Sequence, residues 1–351
     1  MGPPLKPRPE DIPYLRRLGW TVAIAAALLV AWRAADLLLL AFGSVIGAVL
    51  FRSAARLFAK AGVTSPKAAL VLGVLVSLGL FGVVGWLLVV QFGNDVAAMI
   101  DNLPSIIASI EETMSVTPVG EAIVRAAEAA VAGSAIADRL GSLAAGAGEV
   151  LLNFLIVVVG ALFLAANPRP YIRAAVLLTP PDGRPVVERT IDRMGRALRL
   201  WLKSKLISMT VMAILIGGAL WLAGLENWAA LGLLGGLSEF IPYVGPAVAM
   251  LPAIGLATAQ GSDVLAYTLV AYVAVRVIEA WLVTPVVNRR VVDIPPALTL
   301  FTILGVGAVF GLYGVFFAGA LLVVAFVGVR EIYLRETLGE DIDGIPDGAG
   351  R

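Results

Sequence analysis

The stretch SEFIPYVGP at 238–246 sets two prolines, a glycine and a carboxylate inside a long apolar run. Proline removes a backbone donor and glycine loosens the chain, so carbonyls freed within lipid must find partners in protein or along a water-lined cavity. Ion and solute sites inside membranes are built in this way. Glu239 is costly in hydrocarbon unless it faces a cavity or a partner. Pro242, Tyr243, Gly245 and Pro246 are therefore candidates to line the same opening, and a kinked but closed helix is the plainer alternative.

Further along, Arg276 and Glu279 lie three residues apart within an apolar span, on one helical face, where they can pair. They read either as an ion pair that fixes helix packing or as charges facing a solute or ion path. A second irregular stretch carries Gly305, Gly307, Gly311 and Gly314, with Tyr313 beside them. Tyr243 and Tyr313 each stand near a break, where a phenol can cap exposed backbone, contact a polar solute or simply pack. Pro285 and Pro295 read as helix terminators around a basic link.

There is no histidine and no cysteine. Imidazole bases, thiol nucleophiles, disulfides and the usual zinc and haem ligands are therefore excluded. Ser238 has no histidine to activate it, no HExxH stretch occurs, and no paired intramembrane aspartates are seen. Neither an enzyme nor a metal or organic cofactor is expected, and nothing suggests nucleic-acid binding.

These residues sit in a chain that is 60% hydrophobic and 15% charged, with a mean hydropathy of +0.93. Such a composition belongs in a bilayer. The expected fold is an all-α, polytopic membrane protein of about eight hydrophobic elements. Residues 1–68 form an N-terminal tail and a short helical hairpin, because Arg33 and Asp36 split the run from Gly19 to Phe51 into two pieces of about 14 residues. The start has some features of a signal peptide but no clear cleavage site, and is read as an uncleaved span. Residues 69–90 make the clearest single span.

The segment 91–148 is poor in Lys and Arg, which suits the non-cytoplasmic side, and its Val96, Met99, Leu103, Ile107 and Ile110 repeat at helical spacing. A span at 149–166 returns the chain to a basic segment, 167–205. There, Val187, Ile191, Met194, Leu198 and Trp201 predict an interfacial helix with a basic collar for anionic headgroups. Residues 206–330 form a core of two units, each a span followed by a broken element, at 228–259 and 297–329. Each arm of the first broken element is short of the roughly 30 Å hydrocarbon thickness, so a re-entrant hairpin competes with a full span. The two units then run in opposite directions as an inverted repeat, with Arg289 and Arg290 on the cytoplasmic side. The tail, 331–351, is cytoplasmic, as is the N-terminus.

The second half resembles the AI-2E family, the autoinducer-2 exporters or PerM-type permeases. The resemblance rests on EFIPYVGPAVAMLPA at 239–253 and IEAWLVTPVVNRRVVDIPPALTLFTILGVGAVFGLYGV at 278–315. It implies a transporter of the bacterial cytoplasmic membrane that assembles as a homo-oligomer such as a pentamer. It further implies export or secondary transport of a small polar solute, or exchange of sodium or lithium for protons. By position it points to Glu239, Pro242, Gly245, Pro246, Glu279 and Pro285. The chain departs from the family pattern at Ile294-Pro295-Pro296, where relatives often have His-Pro, and at Arg276, where an uncharged polar residue is usual. A membrane scaffold that transports nothing is the remaining alternative.

Overall fold

The computed structural model describes residues 34–87, 90, 135–287 and 294–339, with side chains from 148 onward in the helix that begins at 135. Among these residues the fold is all-α, without a strand. The elements are α1 (Ala35–Lys60), α2 (Pro66–Leu87), α3 (Ala135–Ala166), α4 (Arg169–Leu177), α5 (Arg184–Leu222), α6 (Trp228–Ser238), α7 (Val244–Gln260), α8 (Ser262–Ile278), α9 (Thr284–Val287) and α10 (Pro296–Val329). A wide π-helical turn, Glu279–Val283, joins α8 to α9, and another, Arg330–Thr337, prolongs α10. Six of the helical stretches described are long and apolar enough to cross a membrane, and α6 and α7 are shorter apolar helices. Their outer faces carry exposed Leu75, Leu80, Phe81, Leu151 and Leu155, side chains that suit contact with lipid rather than water.

The first three helices pack together. Glycine at 73 brings α2 against the α1 backbone, and Ala48, Phe51, Val74, Ala161 and Ala165 form their shared core. Arg52 Nε donates to the Ala165 carbonyl at 2.8 Å and so satisfies an oxygen at the end of α3. The first limb of the expected N-terminal hairpin, with Arg33, lies outside the described residues. Its second limb is longer than expected: α1 runs for 26 residues, about 39 Å, through Arg52 and Arg56 to Lys60. No proline interrupts it, and the chain leaves the helix only at Gly62, with φ +104°. The amphipathic residues Val96 to Ile110 and the Arg289-Arg290 link also lie outside the described residues.

A single helix, α5, replaces the interfacial helix and separate span expected between 187 and 225. It is 39 residues long, roughly 58 Å. Its stripe at Leu198 and Trp201 is buried against Phe317, Ala320, Val323 and Val327 of α10, so the apolar residues serve protein packing rather than a headgroup layer. Near its start, Arg193 pairs with Glu331 and Arg189 with Glu336, the latter at 2.9 Å, which ties α5 to the end of the α10 stretch.

On α5 lies α6, at backbone distance: a Cβ built on Gly236 would stand 2.4 Å from the Met209 carbonyl. The chain then breaks and returns. Leu231 of α6 shares a core with Ala253 and Ala257 of α7, and the Glu226 N–H donates to Gln260 Oε1 at 3.4 Å, so the open ends of the two arms meet. Residues 228–260 are thus a helical hairpin with arms of 11 and 17 residues, about 16 and 26 Å. Gly261, with φ +120°, turns the chain into α8, whose buried Tyr272 and Val275 pack into the same core. Pro295 caps α10 and Pro296 is its first residue, where a missing N–H costs nothing, so this pair starts a helix. Pro285 lies just after the wide turn, inside α9, and helical structure continues past it to Val287.

Candidate functional site: an ion cluster at a helix break

Between α6 and α7 the backbone satisfies itself within a few residues. Ser238 Oγ donates to the Gly235 carbonyl at 2.6 Å, and the N–H groups of Glu239, Phe240 and Ile241 each reach back three residues at 3.0–3.2 Å. Next, the Val244 N–H donates to the Pro242 carbonyl at 2.8 Å, a γ-turn centred on Tyr243 with φ 65° and ψ −53°. A side-chain-bearing residue at positive φ is strained, and the hairpin closure on either side holds it there. Gly245 closes the junction. A Cβ on it would lie 1.9 Å from the Ser238 carbonyl oxygen, so no other residue fits without moving the end of α6.

This compact turn aims Glu239 inward, where it is 6% exposed. Arg276 of α8 meets it: one terminal nitrogen, Nη1, donates to Glu239 Oε1 at 2.9 Å and also to Glu279 Oε2. Glu279 opens the wide turn, three residues after Arg276. Lys205 of α5 completes the group by donating from Nζ to the Glu239 main-chain carbonyl at 3.0 Å. That oxygen lies at the C-terminal end of α6, where the helix leaves carbonyls without partners and where a cation is favoured. Ser204, next along α5, donates to the Val287 carbonyl at 3.3 Å, so α5 holds both the break and the far end of the α8–α9 stretch. Two acids and two bases thus meet at the break. Each carboxylate already engages Arg276, so a cation could bind between them only by displacing the guanidinium. No group of three or more residues arranged to hold a metal ion occurs among the described residues.

The second break lies beside the first. Gly311, at φ 60° and ψ −145°, kinks α10 so sharply that a Cβ on Gly314 would lie 2.3 Å from the Val306 carbonyl. Only glycine visits that backbone region readily. Tyr313 OH accepts a hydrogen bond from Asn153 Nδ2 of α3 at 3.1 Å. The two breaks are joined through aromatic rings, with Phe240 stacked on Phe316 at 4.4 Å and edge-on to Trp201 at 5.6 Å.

Of the residues singled out in the sequence, Glu239, Arg276 and Glu279 therefore come together. Gly245 is a packing requirement of the turn, and Pro242 supplies the carbonyl of the γ-turn. Pro246 lies in the first turn of α7, and Tyr243 is exposed. Gly311, Tyr313 and Gly314 belong to the neighbouring kink. Lys205, Phe240 and Asn153 are the additions. Lys205 reads in the sequence as the last member of a basic run, although it directly precedes an apolar span. Asn153 is a lone amide in an otherwise apolar one, a signal of the kind that marks polar contacts in membranes.

A sequence model described as AI-2E family transporter matches residues 21–333. The chain belongs to the AI-2E transporter family. The match reaches back through the first half, beyond the C-terminal motifs that carry the resemblance in the sequence. The chain is also 22% identical over 141 residues to a protein of Bacillus subtilis (strain 168) named "Putative transport protein YrrI". That similarity spans 40% of this chain and 40% of the relative's length.

Proposed function

We propose that this AI-2E family member is a transporter that moves a small polar solute across the bacterial cytoplasmic membrane, by secondary transport or export, with Glu239 as its gating or coupling residue. The observation that carries the reading is the buried ion cluster at the hairpin break, directly against a second broken helix. Discontinuous helices meeting around charged groups are how many secondary transporters frame a central site. On this reading the hairpin 228–260 is re-entrant, because neither arm reaches the roughly 30 Å of a hydrocarbon core, and both chain termini are cytoplasmic. The protein works as a homo-oligomer embedded in lipid.

A second reading, exchange of sodium or lithium for protons, is favoured by one detail. Glu239 and Glu279 compete for the same nitrogen of Arg276. Protonation of one carboxylate leaves the guanidinium to the other, which is a two-state arrangement that a cation can bias.

Proton movement in sealed proteoliposomes under an imposed sodium or lithium gradient tests both readings, with wild type compared to Glu239→Gln. Cation-driven proton flux that vanishes in the variant identifies an antiporter that uses this carboxylate. Silence from a folded, inserted wild type, together with solute export in a metabolite screen that Glu239→Gln abolishes, identifies the exporter. Export and proton flux both unaffected by Glu239→Gln would refute the role given to the cluster.

A further inference from the structure

Three polar side-chain atoms are buried without a hydrogen-bond partner among the described residues: Thr268 Oγ1, Tyr272 OH and Arg276 Nη2. They stand at i, i+4 and i+8 of α8, so they form one line along one helical face. Thr268 is fully buried and Tyr272 is 4% exposed. The core that takes up Tyr272 and Val275 is built of Met212, Ile216, Leu220, Leu231, Ala253 and Ala257, none of which offers a polar side-chain atom.

A single orphaned hydroxyl in an apolar core is a local cost. Three in register are a pattern, because buried polar groups are paired almost everywhere and bound water is the usual partner when protein supplies none. The α-carbons of successive groups rise about 6 Å along the helix axis, so the three groups are spread over two turns and each needs a partner of its own or a shared water. The line begins at Thr268, about 10 Å along α8 from Gly261, and ends on Arg276, whose other terminal nitrogen holds both carboxylates of the ion cluster.

We propose that the Thr268–Tyr272–Arg276 face of α8 binds a short file of buried water, which ends on the guanidinium that holds Glu239 and Glu279 and helps to fix it between them. Both hydroxyls donate and accept, so each can bond water on either side, while the guanidinium only donates and therefore orients the last water with its oxygen toward the arginine. This water site rests on the geometry of α8 alone, independently of the transport reading above.

The test uses the intact, purified protein with Thr268→Val and Tyr272→Phe, which remove a hydroxyl each and nearly conserve shape, and Thr268→Ser, which keeps it. Hydroxyls bonded to water lose those bonds on deletion, so each of the first two variants should melt about 1–3 °C lower, and Thr268→Ser closer to wild type. Deleting a dry, unpaired hydroxyl stabilises instead, so melting points at or above wild type overturn the water file. Millisecond X-ray pulses, which make radicals from water in place, should label Tyr272 despite its burial, and an unlabelled Tyr272 also overturns it.

Discussion

The two broken elements meet ring to ring, yet they are made differently. The break at 239–243 uses a γ-turn, a glycine pressed against a carbonyl, and four charged side chains drawn from α5, α8, the wide turn after α8 and the break itself. The kink in α10 uses one glycine at φ 60° and one neutral hydrogen bond, from Asn153 to Tyr313. Buried charge added to an enforced backbone approach makes the first break the more expensive to alter. The second carries no charge: it demands a backbone conformation at Gly311, with open space where a Cβ would stand, and a close backbone approach at Gly314.

Substitutions of the two glycines and their neighbours should separate these designs. Gly245→Ala should be the most damaging change, about 4 kcal/mol or more, because the new Cβ meets main chain that cannot move without unseating α6. Thermal unfolding followed by tryptophan fluorescence in detergent would record it, and a mild effect would show that the junction yields. Arg276→Leu comes next, at about 3 kcal/mol, since it leaves the buried Glu239 carboxylate facing no guanidinium. The guanidinium is 32% exposed, so the lower end of the usual range applies. Adding Glu239→Gln to Arg276→Leu should recover part of that loss, whereas a purely steric role for Arg276 predicts no recovery.

Gly311→Ala should cost about 2 kcal/mol, all of it backbone strain, and Gly311→Asn no less, because asparagine tolerates positive φ only near ψ of about +30 to +60°, far from −145°. Thermal unfolding measures both, and a negligible cost in either would mean that the kink relaxes to another conformation. The smallest effect is expected from Tyr313→Phe, about 1 kcal/mol for one neutral hydrogen bond, with Asn153→Leu adding little on top of it. A double-mutant cycle on the pair measures this directly.

The sequence announces both breaks, because proline and glycine in the middle of an apolar run have local consequences that any fold must accommodate. It also announces the Arg276–Glu279 pairing, which follows from helical spacing alone. That Glu239 joins this pair across 37 residues is a different matter. It depends on the closure of the 228–260 hairpin, and so on where Leu231 finds Ala253 and Ala257. Lys205 was hidden for an opposite reason. A lysine at the end of a basic run reads as a headgroup contact until α5 is seen to continue unbroken and bring it beside the Glu239 carbonyl. The stripe at Leu198 and Trp201 misleads in the same way, since an apolar face against lipid and one against α10 have the same periodicity.

Continuity of α5 has a mechanical consequence. Arg193, latched to Glu331 at the end of the α10 stretch, and Lys205, fastened to the hairpin break, are twelve residues apart on one rod, about 18 Å of helix. Between them there is no proline, and the helix runs through Gly195 without a break. The C-terminal latch and the charged break are two fittings on one beam, so α5 must bend or shift as a whole if either end moves.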